Sequence, residues 1–337
     1  MKSKTSLINF CNEIGKNRLL VQGAGGNVSY KDSDLLYIKA SGKRIGNAKA
    51  EEIFVPVDLK ILNYELDRKN FSIIPKIDGS SSLQLKPSIE TIMHALMPEK
   101  FVLHLHAIDP LAILVRQNSK ELIAEMVGKD LNYSYIHYSK PGSNLAESIA
   151  QALIKKPSDI IFLENHGIVI GADSVCLLQK RLNIIVNIFK FDLHSITTPV
   201  DIIINKDKIQ NFHILEDFEL LELVFDEFLY SNLDQNWVLY PDHVVFLGEK
   251  PVLFDNLQSF KDHIKRSQIL SSIVFVKSSG IFVTSEFSNA QLEQLQCYYD
   301  VLKRQKTDDI LNPLTQSQIF ELVNWDAEKH RVNLSKD

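Results

Sequence analysis

The stretch FVLHLHAIDP, residues 101 to 110, sets two histidines one residue apart inside an apolar run. A β-strand alternates faces with period two, so His104 and His106 project together while Leu103 and Leu105 point the other way. A chain that folds around such a strand must satisfy two imidazoles on one face of its sheet. A shared metal ion does this, and so do hydrogen bonds at a sheet edge. The pair alone leaves both open.

The rest of the chain sets the frame for that strand. Its 337 residues are 45% hydrophobic and 23% charged, the composition of a globular protein long enough for one large domain or two smaller ones. The formal net charge of -5 supplies no basic surface for nucleic acid or an anionic membrane. No run of about 18 apolar residues occurs, so no membrane span is expected. Cys11, Cys176 and Cys297 are scattered, which argues against a disulfide framework and a cysteine zinc site and leads us to expect a cytoplasmic protein.

Periodicity organises the chain. A first helix is predicted over Ser6 to Arg18, followed by the glycine-rich turn GAGGNVS and short strands in LLYIKASG and EEIFVPVDLK. KPSIETIMHALMPEK reads as a helix with Pro87 in its first turn and Ile89, Ile92, Met93 and Leu96 as its apolar stripe. DIIFLENHGIVIGAD reads as two strands joined at Asn165-His166-Gly167, with a long helix after it. The expectation is a mixed α/β domain over residues 1–205 and a smaller α/β extension over 206–337. In the extension, WVLYPDHVVFLGEKPVLFDN and SSIVFVKSSGIFVT read as strands in hairpins, and LTQSQIFELVNWDAEKHRVNL as one closing helix.

The strongest candidate for a third metal ligand is His166, at a chain reversal whose flanking strands fix its position. Three imidazoles form a common open zinc site. Glu90, near the start of the PSIETIMH helix, is then a candidate proton-transfer group, although a first-turn carboxylate answering the helix dipole explains it equally. His94 lies one turn further along, either behind the metal ligands or as a core histidine. His137, His194, His213, His243, His263 and His330 have no ligand spacing and read as surface or structural. The glycine stretch is either a tight loop or an anion cradle with Asn27 and Ser29 turned inward. The same two readings hold for Ser41-Gly42 and Ser88. The loop lacks the G-K-[ST] of a Walker motif and the G-x-G-x-x-G order of a dinucleotide fold.

Taken in order, the glycine loop with Asn27, the Ser41-Gly42 turn, the Pro-Ser-x-Glu segment, the His-x-His strand and the Asn-His-Gly turn resemble the class II aldolase/adducin family. This is the family of the L-fuculose- and L-rhamnulose-1-phosphate aldolases, and the resemblance runs from about Gly23 to Gly171. It implies a three-layer α/β sandwich around a mainly antiparallel central sheet. It implies zinc on His104, His106 and His166, and Glu90 as the acid/base. It implies a substrate phosphate among Asn27, Ser41, Gly42 and Ser88, and a homotetramer with active sites near subunit boundaries. The implied reaction is cleavage of a phosphorylated ketose through a zinc-stabilised enediolate. Sugar-phosphate dehydration or epimerisation is the alternative on the same scaffold, and an adducin-like binding module the non-enzymatic one. The epimerases carry aspartate where this chain has Glu90, and adducin heads lack the three histidines.

The later segment resembles extended members in which a dehydrogenase module follows the aldolase module, and this chain is expected to be the aldolase half alone. Two departures stand out. Ile89 takes the place of the second serine of a phosphate-binding pair, with Lys43 or Arg44 as candidate supporting cations. The assisting tyrosine has no aligned counterpart, Tyr138 being the nearest in sequence.

Overall fold

Short apolar runs, separated by glycine and polar turns, pair into sheets in the computed structural model, which describes residues 2–78, 85–129, 131–191, 193, 209–266 and 271–334. The first part contains helix α1 (Lys2–Ile14), strands β1 (Asn27–Asp32), β2 (Leu35–Lys39) and β3 (Phe54–Asp58), and helices α2 (Leu59–Asp67) and α3 (Thr91–Leu96). Strand β4 (Phe101–Leu105), helices α4 (Ile108–Leu114) and α5 (Ser119–Val127), strand β5 (Tyr133–Ile136) and helix α6 (Ser143–Lys155) follow. Strands β6 (Ile160–Leu163) and β7 (Gly167–Ala172) and helix α7 (Val175–Ile188) complete it.

The second part contains β8 (Phe212–Ile214), α8 (Glu222–Phe225), α9 (Glu227–Gln235), α10 (Pro241–Leu247), β9 (Leu253–Phe254) and α11 (Leu257–Arg266). After these come β10 (Ile273–Val276), β11 (Gly280–Thr284), α12 (Asn289–Leu302), α13 (Gln316–Val323) and α14 (Asp326–Leu334).

The larger sheet has seven strands in the order β3-β2-β1-β4-β7-β6-β5, antiparallel throughout except for the β5–β6 pair. Period-two alternation splits its core into two layers. Phe101, Leu103 and Leu105 of β4 and Ile168 and Ile170 of β7 pack with Leu7 and Phe10 of α1 and Leu182 and Ile185 of α7. Val102 and Val169 face the other way, against Met93 of α3 and Leu145 and Ile149 of α6. Each such buried side chain contributes about 1.5–3 kcal/mol. Helices thus cover both faces, giving the three-layer α/β sandwich, and His104 lies on the face that carries α3.

The smaller sheet runs β8-β11-β10-β9. The second part shares a core with the first: Ile108, Leu111 and Val115 pack with Leu223, Tyr298 and Val301. Arg304 Nε donates to Asp109 at 2.5 Å, and Arg116 Nη1 to Asp309 at 2.8 Å. The expected boundary at 205/206 lies outside the described residues, as does His194.

Four local expectations are corrected. The first helix ends at Ile14, because Gly15 packs backbone to backbone against Gly46 and admits no side chain. The PSIETIMH helix begins at Thr91, since Pro87 is extended in a bridge to Ala40. The segment PDHVVFL is helix α10 with Pro241 in its first turn, and β9 pairs in parallel with β10 instead of forming a hairpin. The closing segment is two helices, α13 and α14, interrupted at Asn324-Trp325. Among the described residues, no helix is long and apolar enough to cross a membrane.

Candidate metal centre

The β1–β4–β7 register assembles the site. Asn27 of β1 is paired with His104 of β4, which is paired with Val169 of β7. His106 sits just past the end of β4, and His166 just before β7 at the reversal from β6. Two glycines are needed to bring these segments together. A Cβ at Gly26, where φ is +67°, would stand 2.8 Å from the His104 carbonyl oxygen, and a Cβ at Gly167 would stand 2.3 Å from that of Leu105. Asn165 takes φ +52° in the reversal, and its Nδ2 donates to the Leu239 and Asn312 carbonyls at 2.8 Å each.

The three imidazoles are buried, with ring centroids 4.8 to 5.1 Å apart. One nitrogen from each lies within 4.8 Å of the others. His104 Nε2 and His106 Nε2 are 3.1 Å apart. His104 Nδ1 lies 3.0 Å from the Ile168 carbonyl oxygen, an acceptor that calls for N–H at Nδ1 and leaves a lone pair at Nε2. Burial, the largest influence, holds the pKa of His104 below its usual value and that of His166 well below. Three clustered imidazoles are the donor set that a late divalent transition metal takes, so the residues present fit such an ion.

Glu90 closes the cluster. Its Oε2 accepts from Asn27 Nδ2 at 2.6 Å and lies 3.5 Å from His104 Nε2. Its Oε1 lies 3.3 Å from His166 Nε2 and has no hydrogen bond among the described residues. Glu90 occupies the N-cap position of α3 but makes no side-chain cap, so helix capping does not account for its placement.

Asn27, Ser41, Gly42 and Ser88 line one cavity together with Glu90, His106 and His166. Ser88 Oγ accepts from the Glu90 amide at 3.2 Å. Ile89 lines the same cavity, whereas Ser29 is turned to His94 Nδ1 at 2.8 Å and does not. Lys43 and Arg44 are occupied elsewhere: Lys43 pairs with Glu51 at 2.5 Å and Arg44 with Glu293 at 2.7 Å. Tyr138 packs against the second part's core, and its hydroxyl has no hydrogen bond.

Several cavity residues went unforeseen in the sequence. Lys39, 1% exposed, donates from Nζ to the Ala24 carbonyl at 2.9 Å and the Lys43 carbonyl at 2.6 Å and pairs with no carboxylate among the described residues. Burial lowers its pKa to about 7, with Arg331 adding to the fall and Glu90 and Asp242 opposing it. Pro241 and Asp242 of α10 and Glu328 and Arg331 of α14 line the cavity as well. Arg331 Nη2 donates to Asp242 Oδ1, and Asp242 Oδ2 lies 3.2 Å from His106 Nδ1. Burial pushes the Asp242 carboxyl upward, but Arg331 and His106 outweigh it and hold the group well below the ordinary carboxylate range. A lone aspartate in the apolar run VLYPDHVVFL was the one signal available. The cavity has a volume of about 30 Å³ and is partly open to solvent.

Comparison with known proteins bears on the first part of the chain. The family described as Class II Aldolase and Adducin N-terminal domain matches residues 5–191. An L-fuculose phosphate aldolase of Methanococcus maripaludis is 31% identical over 179 residues, covering 50% of this chain and 84% of the relative. An uncharacterized oxidoreductase of Bacillus subtilis, YuxG, is 27% identical over 200 residues, and the match spans 55% of this chain but only 29% of that relative's length. Among solved structures, the N-terminal class II aldolase domain of a conserved Thermoplasma acidophilum protein aligns with a TM-score of 0.42 at 24% identity, covering 53% of this chain and 92% of that one. With its family-matching segment spanning more than half its length, the chain belongs to the class II aldolase and adducin family.

Proposed function

We propose that the chain is a divalent-metal-dependent aldolase, zinc being the favoured ion, that cleaves a phosphorylated ketose to dihydroxyacetone phosphate and an aldehyde. The observation that carries this reading is the convergence of three imidazole nitrogens and the Glu90 carboxylate in one cavity with Asn27, Ser41, Gly42 and Ser88. A bound divalent ion would supply the electrophile that polarises the ketose carbonyl. His104, His106 and His166 would hold it. In cleavage we assign to Glu90 the proton of the hydroxyl on the departing carbon, whose oxygen becomes the aldehyde carbonyl; the electron pair of the opening carbon–carbon bond becomes that of an enediolate, and Glu90 returns the proton to the enediolate carbon, the order reversing in condensation. Asn27, through its bond to Glu90, keeps one carboxylate oxygen fixed while the other is free to exchange the proton.

For the phosphate we assign Ser41, Gly42 and Ser88 as donors and Lys39 as the counter-charge, compensating for the hydroxyl that Ile89 lacks. In this reading Glu328 and Arg331 of α14, which line the same cavity, face the bound substrate. Residues 1–205 are then the catalytic module, and 206–337 an extension that helps to line its cavity. By family resemblance we also propose a cytoplasmic homotetramer.

A screen of aldehydes against dihydroxyacetone phosphate and free dihydroxyacetone tests the assignment. The reading requires a carbon–carbon bonded ketose phosphate as product, at rates well above those with the unphosphorylated donor. Absence of condensation from every aldehyde with metal-loaded protein would remove the aldolase assignment.

A further inference from the structure

We propose that Asp242 of the C-terminal segment is a positioning residue for His106, which makes that segment a working part of the metal centre. The proposal deepens the metal-centre reading and rests on it. A neutral imidazole has one N–H and one lone pair, so a histidine that presents Nε2 to an ion must carry its proton on Nδ1. An acceptor at Nδ1 fixes both that tautomer and the ring's rotation, and a carboxylate there also makes Nε2 a stronger donor.

The three imidazoles differ in this respect. His104 has the Ile168 carbonyl 3.0 Å from its Nδ1, supplied by the sheet. His166 Nδ1 has no hydrogen-bond partner among the described residues. His106, beyond the last residue of its strand, has no sheet carbonyl in that role; it has Asp242 Oδ2 at 3.2 Å. Asp242 is 3% exposed and stands in the first turn of α10. Arg331 occupies its Oδ1, and Arg331 is itself held by Glu328 at 3.3 Å. The clasp leaves Oδ2 3.2 Å from His106 Nδ1 and without a hydrogen bond among the described residues, so it is available to that ring nitrogen. If Asp242 served only to neutralise a buried guanidinium, nothing would place its second oxygen against the imidazole.

The test is metal affinity, read with Co(II) and Zn(II) on untagged, chelator-stripped protein by competition titration. Asp242→Asn should bind about 10–100-fold more weakly than the wild type, with the Co(II) absorption spectrum altered. In a His106→Ala background the same change should cost nothing further, and in a His166→Ala background it should cost the full factor. Should Asp242→Asn fail to fold, the paired variant Asp242→Asn/Arg331→Met removes the stranded guanidinium as well, and the same loss of affinity is expected. Affinity within twofold of wild type, or an equal loss with and without His106, overturns the proposal while the metal centre stands. Wild-type protein that binds neither ion overturns the metal centre itself and the proposal with it.

Discussion

Glu90 Oε2 is held by Asn27 at 2.6 Å, while Oε1 faces His166 at 3.3 Å without a hydrogen bond among the described residues. A buried carboxylate with one oxygen fixed and one free suits proton transfer and makes a poor structural anchor. Glu90→Gln should therefore lower turnover by about 10²–10⁴ with metal content unchanged; near-normal turnover would place the acid/base elsewhere. Lys39 poses a different problem, a buried ammonium bonded among the described residues to two carbonyls. Lys39→Met should raise KM for the phosphorylated ketose roughly ten- to hundredfold, the worth of a hydrogen bond to a charged group, and leave the free ketose unaffected. Equal changes for both substrates would mean that the lysine serves only the loop it ties. The shared face of His104 and His106 was legible from strand spacing, and the nearness of His166 and Glu90 to them was expected from the order of the motifs, since neither residue taken singly marks a site. Lys39 was not, because a lysine in an alternating strand reads as solvent-facing until the sheet is assembled around it.

At the level of the element, α10 shows where periodicity loses its power. A seven-residue helix containing Val244, Val245 and Phe246 spans too few turns for its period to separate it from a strand. The β6–β7 reversal was legible, because its apolar runs are long and a single Asn-His-Gly triplet divides them. Burial also exposes a role for His243 on α10 that its spacing could not reveal. Its ring packs 4.4 Å from both Trp237 and Tyr298, neither nitrogen has a hydrogen bond among the described residues, and burial lowers its pKa to about 3. The folded protein keeps this imidazole neutral, whereas the unfolded chain protonates it below about pH 6.5. Between these two values the unfolded state binds more protons, so stability falls as the pH falls, by up to about 1.4 kcal/mol per unit from this group alone. His243→Phe should flatten that acid limb in urea unfolding at pH 7 and pH 5, by roughly 2 kcal/mol over the interval. Parallel acid slopes for the two proteins would show that the ring is hydrated or protonated in the fold.

Across the whole molecule, the sandwich supplies the ligands and the second part covers them. The family resemblance made the sandwich legible, since its motifs fall in chain order between Gly23 and Gly171. The cover was not legible. It depends on pairs such as Asp242 with His106, Arg304 with Asp109 and Asn165 with the Leu239 carbonyl. Contacts this distant in sequence leave no periodic trace, and each residue taken singly reads as an ordinary surface or turn group. What unites sandwich and cover in one account is the proposed divalent ion on His104, His106 and His166. Elemental analysis of untagged protein, beside His166→Ala, tests that claim most directly. The account predicts about one equivalent of zinc or another divalent transition metal per chain, lost in the variant. Wild-type protein with only trace metal, and no uptake on adding zinc, would contradict it.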